Sequence, residues 1–342
     1  MIVLGIETSC DETSVSLVER QNGFGKILAE QTLSQIPKHK KYGGVVPELA
    51  SREHSKHIDS LFKRTLKKSK ISLSEIDAFA ATTGPGLLGA LLVGTNYAKS
   101  LAITSKKPFF SVNHLQAHVL VSRINNKINF PFLCLLVSGG HCQILLVLDY
   151  NKFKVVGETL DDAVGEVFDK TARALGYSYP GGPIIENLAK KSKGKHKFKL
   201  PKPLLNKNTC DLSFSGLKTS VRRIVEKGIS KEQECDLAFS FQNTIAECLL
   251  NKVDLAIKNC IHKGFNLQDF VLSGGVASNS FIRHKFKVLC KKKNMIFYVP
   301  DKKLCVDNAT MIAWAALEMI AKGRSFSKIH LSPNPRWRID SL

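Results

Sequence analysis

One local plan occurs twice in this chain, and it limits the possible folds more than any other feature. Residues 2–6 and 15–18 are short apolar runs rich in β-branched side chains, joined by Glu7-Thr8-Ser9-Cys10-Asp11-Glu12-Thr13-Ser14. Residues 132–137 and 143–148 repeat the plan around Ser138-Gly139-Gly140-His141. Apolar runs of this length bounded by turn residues read as strands. A strand–turn–strand unit that recurs in each half predicts two related domains, and 342 residues are enough for both. The two turns differ in chemistry: the first is rich in acids and hydroxyls, the second in glycine.

Helical patterns alternate with further strands. Pro47 opens a helix whose apolar stripe is Leu49, Ile58, Leu61, Phe62 and Leu66. Residues 77–82 form a strand, and Gly84-Pro85-Gly86 turns it into an apolar helix over 87–102. A strand at 108–112 precedes a helix opening at His114, and the polar stretch 123–129 reads as a linker. In the second half, helices are expected over 162–175 (ended by Gly176), 184–190, 234–263 and 308–321. Strands are expected at 270–273 and 296–299. Pro180-Gly181-Gly182-Pro183 reads as a forced loop and 191–208 as a long basic surface loop. This rhythm predicts an α/β fold with two sheets.

The chain carries a formal net charge of +21. Basic clusters at 38–41, 63–70, 190–202, 283–293 and 336–338 form a field that attracts polyanions such as nucleic acid. The nine cysteines contain no Cys-x-x-Cys pair and read as reduced thiols, which fits a cytoplasmic protein. The first residues carry Glu7 and lack a basic start, so a strand is expected there and not a secretion signal. The apolar run 130–148 is broken by Ser138-Gly139-Gly140-His141, so no membrane span is expected.

His114 and His118 stand four apart on the expected helix, where both imidazoles can point to one spot. Asp307, just before the last helix, would complete a two-His, one-carboxylate metal set with open positions for substrate oxygens. That set requires the C-terminal helix to fold back onto the first half. Taken singly, the candidates have structural readings: half-exposed helix histidines, Asp11 and Glu12 as turn stabilisers, Asp169 as a surface acid, and Asp307 as a helix N-cap. Three glycine turns (Ser138-Gly139-Gly140, Pro180-Gly181-Gly182 and Ser273-Gly274-Gly275) are each read as following an apolar strand. Such turns let a backbone approach a phosphate-bearing ligand closely. None matches a Walker A or a G-x-G-x-x-G pattern.

Eight segments resemble the TsaD family, the tRNA adenosine threonylcarbamoyltransferases once called glycoproteases. They are Gly5-Ile6-Glu7-Thr8-Ser9-Cys10-Asp11-Glu12-Thr13, Gly43-Gly44-Val45-Val46-Pro47-Glu48-Leu49-Ala50-Ser51-Arg52, Thr83-Gly84-Pro85-Gly86-Leu87 and Leu136-Val137-Ser138-Gly139-Gly140-His141 in the first part. Phe168-Asp169-Lys170-Thr171-Ala172, Tyr179-Pro180-Gly181-Gly182-Pro183, Phe214-Ser215-Gly216-Leu217-Lys218-Thr219 and Gly274-Gly275-Val276-Ala277 follow. They run in order over nearly the whole chain. The resemblance implies the ASKHA fold of actin, sugar kinases and Hsp70, with two duplicated domains and a nucleotide cleft between them. It implies a first domain over 1–130, a second over 131–300, and a segment 301–342 that returns to the first.

The same resemblance implies metal ligands at His114, His118 and Asp307, holding one divalent ion, Fe(II) ahead of Zn(II). It implies a threonylcarbamoyl-AMP site at Leu136, Val137, Ser138, Gly139, Gly140, Asp169, Gly182 and Asn279. Glu186 stands where many members have Asp, Gln116 where members often have Glu, and Cys142 where Thr is usual. The implied reaction is attack by N6 of adenosine 37, in tRNAs that read ANN codons, on the carbamoyl carbon. Asp11 or Glu12 is the expected base. TsaB-like and TsaE-like proteins are the implied partners. Two other readings share these features: a small-molecule kinase of the same fold, and a tRNA-binding scaffold without turnover. A zinc peptidase of the H-E-x-x-H type is disfavoured, because Leu115 follows the first histidine.

Overall fold

The computed structural model describes residues 1–342. Its contacts divide the chain into two units. One comprises Met1–Ile128, Asp149–Phe153 and Val306–Leu342, the other Asn129–Leu148 and Lys154–Cys305.

In the first unit, strands β1 (Ile2–Glu7), β2 (Glu12–Gln21), β3 (Phe24–Ser34), β4 (Ala78–Gly84) and β5 (Phe109–Asn113) form one sheet in the order β3-β2-β1-β4-β5. The strands β1, β2 and β3 pair antiparallel, whereas β4 and β5 run parallel to β1. Helices α1 (Ile36–His39), α2 (Pro47–Ser69), α3 (Leu88–Ser105) and α4 (His114–Leu120) intervene. β1 is buried along nearly its whole length because both faces of the sheet are covered. Leu4 and Ile6 pack with Ile58, Leu61, Phe62 and Ala98 of the helices on one face.

In the second unit, β6 (Phe132–Val137), β7 (Cys142–Asp149), β8 (Lys152–Glu158), β9 (Asp269–Ser273) and β10 (Ile296–Tyr298) form a sheet in the order β10-β9-β6-β7-β8. Its plan is the first one repeated: a central strand, an antiparallel neighbour on one side, and parallel strands on the other. Its helices are α5 (Val164–Ala174), α6 (Gly181–Lys190), α7 (Ser215–Glu226), α8 (Lys231–His262), α9 (Ser280–Lys292) and α10 (Lys302–Cys305). Leu237, Phe241, Ile245 and Leu249 of α8 are fully buried in the core of this unit. The chain then returns to the first unit with α11 (Ala309–Ala321).

Several elements differ from the sequence expectation. β3, β8 and α7 were not anticipated: β3 and β8 carry mixed polar and apolar residues, which mask a strand signal. The segment Pro180-Gly181-Gly182-Pro183 is not a loop, since α6 starts at Gly181. It also follows helix α5 and not a strand, so only two of the three glycine turns stand at strand ends. Helix α8 begins at Lys231, where Ser230 and Gln233 form a reciprocal capping box. The expected linker 123–129 is anchored to the core at two points: Ile124 and Ile128 are buried, and the Gly25 N–H donates to Ile124 O at 2.7 Å.

Candidate metal centre and ligand turns

The parallel strands β1, β4 and β5 end side by side, the place where open α/β sheets carry their chemistry. β1 ends at Glu7, β4 passes through Thr82, and β5 ends at Asn113. Asn113 starts α4, its side-chain oxygen accepting from the backbone N–H groups of Leu115 and Gln116 at 2.9 and 3.2 Å. That cap fixes the first turn and with it the direction of His114.

Helix α11 supplies the third group. Its N-cap is Asn308, whose Oδ1 accepts from the Met311 N–H, so the cap falls one residue after Asp307 and leaves that carboxylate available. The Ala309 N–H donates to Ser14 Oγ. Gly5 lets the helix lie directly on β1: a Cβ there would stand 2.4 Å from Ala309 O and 2.6 Å from Ala313 N. The C-terminal segment thus folds back onto the first sheet.

As a result His114, His118 and Asp307 form a group that could hold a metal ion, with ligand atoms all within 4.8 Å of one another. Asp307 Oδ1 lies 3.0 Å from His118 Nε2 and 3.5 Å from His114 Nε2. Donors bound to one ion at about 2.0–2.2 Å stand roughly 3.0–3.5 Å apart, so the spacing fits a coordination edge. The rings meet edge to face with centroids 4.6 Å apart. Both histidines are buried, which rules out the half-exposed reading. Burial alone would depress the His114 imidazole, but the carboxylates of Asp307 and Glu7 raise it to about 9. Two carboxylates around one imidazole make a strongly cation-attracting site.

Glu7 was missed as a site residue, although an acid at the end of an otherwise apolar strand is a signal in itself. It is fully buried, with Oε2 3.1 Å from His114 Nδ1. Burial pushes its carboxyl up, yet the charge and hydrogen bond of His114 outweigh this and hold it below its ordinary value.

Asp11 lies in the adjoining turn and Glu12 opens β2 directly after it. Asp11 is buried, and its Oδ2 has no hydrogen-bond partner. Glu12 accepts from Ser34 Oγ at 3.2 Å. Burial, then the negative charges of Asp11 and Asp307, push its carboxyl well above the usual range, towards the region where a carboxylate can take up a proton.

In the second unit the glycines divide into two kinds. At Gly165, Gly181 and Gly274 an added Cβ would strike backbone: Ser138 O at 2.7 Å, Phe168 O at 2.6 Å and Val137 O at 2.3 Å respectively. These glycines weld α5, α6 and β9 together around the turn after β6. At Gly139, Gly140, Gly182 and Gly275 nothing lies within 4 Å of such a Cβ. There the backbone is bare, as close approach of a ligand requires.

Several expected ligand residues have structural work in this arrangement. Leu136 and Val137 are fully buried, so only their backbone can meet a ligand. Ser138 Oγ accepts from the His141 N–H. Asp169 Oδ1 accepts from the Gly181 N–H at 2.7 Å, which joins α5 to α6. Asn279 caps α9 through the Ile282 N–H and donates to Gln242 Oε1 at 2.7 Å. Glu186 pairs with Lys190 and accepts from Ser280 at the start of α9. Beside these residues lies a cavity of about 590 Å³ whose walls include Glu186, Lys190, Phe239, Phe281 and His284. Gln116 donates to Tyr150 O, and Cys142 is a buried packing residue.

The family model for TsaD, tRNA N6-adenosine threonylcarbamoyltransferase, matches residues 26–314. The enzyme of that name from Wolbachia pipientis subsp. Culex pipiens (strain wPip) is 46% identical over 99% of this chain and 98% of its own length. The counterpart from Wolbachia sp. subsp. Brugia malayi (strain TRS) is 47% identical over 99% of each. Among solved structures, HypF of T. kodakarensis superposes with a TM-score of 0.60 at 16% identity, over 94% of this chain and 48% of that one, a likeness of fold alone. The fold is α/β of the ASKHA type. The chain belongs to the TsaD family of tRNA N6-adenosine threonylcarbamoyltransferases. Its reaction is transfer of a threonylcarbamoyl group to N6 of a tRNA adenosine. No helix is long and apolar enough to cross a membrane.

Proposed function

We propose that the donor is threonylcarbamoyl-AMP, that the acceptor is adenosine 37 of tRNAs reading ANN codons, and that the two half-sites above divide the work. The bare glycines 139, 140 and 182 cradle the adenylate phosphate, with Leu136 and Val137 contributing backbone only. Ser138, Asp169 and Asn279 set the shape of that cradle, and the adenosine end occupies the neighbouring cavity. His114, His118 and Asp307 hold one divalent ion, with Fe(II) preferred over Zn(II) for a two-His, one-carboxylate set with open positions. When bound, the ion supplies Lewis-acid polarisation of a carbonyl or phosphoryl oxygen.

In the transfer, N6 forms a bond to the carbamoyl carbon, the bond from that carbon to the AMP oxygen breaks, and AMP leaves. Glu12 receives the amine proton and Asp11 supports it, because the charges of Asp11 and Asp307 both act on the Glu12 carboxyl. The net charge of +21 draws the tRNA backbone to the surface. Unpaired anticodon-loop bases are open to such attack in a way that duplex bases are not. We place the enzyme in the cytoplasm with TsaB-like and TsaE-like partners.

The observation that carries this reading is the convergence of two imidazole Nε2 atoms and one carboxylate at the C-terminal ends of β1, β4 and β5. Single-turnover transfer from labelled threonylcarbamoyl-AMP to unmodified ANN-decoding tRNA, with the partner proteins present, tests it. Wild type should transfer and Asp307→Ala should not. tRNA retained without transfer in either protein would replace the reading by that of a scaffold.

A further inference from the structure

We infer that Glu7 is a positioning residue for the metal centre: it holds the proton of His114 on Nδ1, so that Nε2 faces the ion as a lone pair. This rests on the ligand assignment proposed above. Three donors converge on the Glu7 carboxylate. The Ser9 N–H donates to Oε1 at 2.5 Å and Thr82 Oγ1 to Oε2 at 2.5 Å, while His114 Nδ1 lies 3.1 Å from the same Oε2. All four residues are buried, so water cannot replace any of these bonds. A carboxylate only accepts, and with the amide and the hydroxyl already donating, the Nδ1 atom is the remaining donor. Ser9 Oγ, 3.2 Å from the same nitrogen, is a second acceptor for that proton.

The opposite nitrogen of His114 points to Asp307, 3.5 Å away. An imidazole that ligates a cation through one nitrogen needs its other N–H held, and a carboxylate does this while making the ligand more basic. Glu7 is well placed to stay rigid, because it ends the central strand of the sheet and its backbone pairs with Ser14. His118 is a ligand of the same set with a different origin of rigidity, since it is buried one helical turn further along α4.

Replacement of Glu7 by Gln keeps the shape and breaks the logic. A glutamine amide accepts at one end only. If its oxygen stays with the Ser9 N–H, its NH2 faces His114 Nδ1, which must then accept. The proton moves to Nε2 and closes the lone pair the ion needs. If the amide turns over, the Ser9 N–H is left facing a donor.

Co(II) alone, added to the metal-free full-length chain and followed by its visible d–d absorption, reads this out. Glu7→Gln should bind about 10–100-fold more weakly than wild type, the range for partners of metal-ligating histidines. Its metal-free urea midpoint reports the cost of the altered buried bonds separately from the metal affinity, and His114→Ala should lose the wild-type spectrum. Unchanged Co(II) affinity in Glu7→Gln, with binding lost in His114→Ala, overturns the inference and leaves the ligand set standing. Binding by His114→Ala equal to wild type overturns the ligand set and the inference together. Should Glu7→Gln fail to fold, Thr82→Val decides: it removes one donor to Glu7, and a few-fold weakening is expected, whereas no change sinks the proposal.

Discussion

The two sheets share one strand plan, yet their C-terminal edges carry opposite chemistry. In the first unit the edge is filled with titratable side chains: the buried Glu7, His114 and His118 and, just before α11, the half-buried Asp307. In the second the edge is stripped to backbone at Gly139, Gly140 and Gly275. A duplicated scaffold can thus be specialised by the residues at and just beyond its strand ends, because strand pairing depends on backbone and core, which those positions barely touch. One unit presents a group of side chains that could hold a cation and the other a bare peptide surface suited to an anion.

The largest expected effect comes from emptying the first edge. Asp307→Ala should lower single-turnover transfer by more than about 100-fold, beyond the range for outer partners of metal ligands. Its Co(II) spectrum should vanish as well. Retained transfer in Asp307→Ala would remove the functional contrast between the units.

Next is the contrast between packed and bare glycines. Gly5→Ala drives a Cβ into the backbone of α11 and should cost about 1–3 kcal/mol of stability in urea, displacing Asp307 as it does so. Gly140→Ala meets nothing and should stay within about 0.5 kcal/mol of wild type, while binding of threonylcarbamoyl-AMP weakens. Equal stability losses in both variants would erase the distinction.

Chelation sharpens the same comparison. Adding Co(II) to the metal-free protein at 100 times its dissociation constant should stabilise it by about 2.7 kcal/mol, and His118→Ala should not respond. Thermal unfolding checks both.

The smallest effect belongs to the second unit and to pH. Asp162 is half-buried and Asp161 exposed; desolvation raises both carboxyls, but bonds from the 213–215 segment to Asp161 and from Lys170 and Lys218 to Asp162 outweigh this and lower both. A carboxyl lowered in the folded state adds stability above its unfolded pKa of about 3.9, and that stability is lost as pH falls through the folded value. Asp162→Asn should therefore flatten urea stability between about pH 5 and 3 by no more than about 1 kcal/mol. An unchanged slope would show that the two lysines do not couple to folding there.

Much of this was legible beforehand. The duplicated hairpin, the His114–His118 spacing and the glycine turns are local patterns, and each local pattern produced the element it suggested, apart from the segment at Pro180. β3 and β8 escaped because exposed strand faces carry mixed residues without a clean alternation. Glu7 escaped because nothing in the sequence says that an acid at a strand end will face a histidine 107 positions later.

The sequence by itself determined the α/β rhythm, the repeat and the kinds of side chain available to the site. These follow from short-range periodicity and turn chemistry, which need only near neighbours. Tertiary structure alone decided that Asp307 meets His118 across 189 positions, through α11 lying on Gly5. It also decided which glycines are welded and which are bare. Such outcomes depend on strand register and on the close packing of backbones far apart in the chain, and no local pattern encodes them.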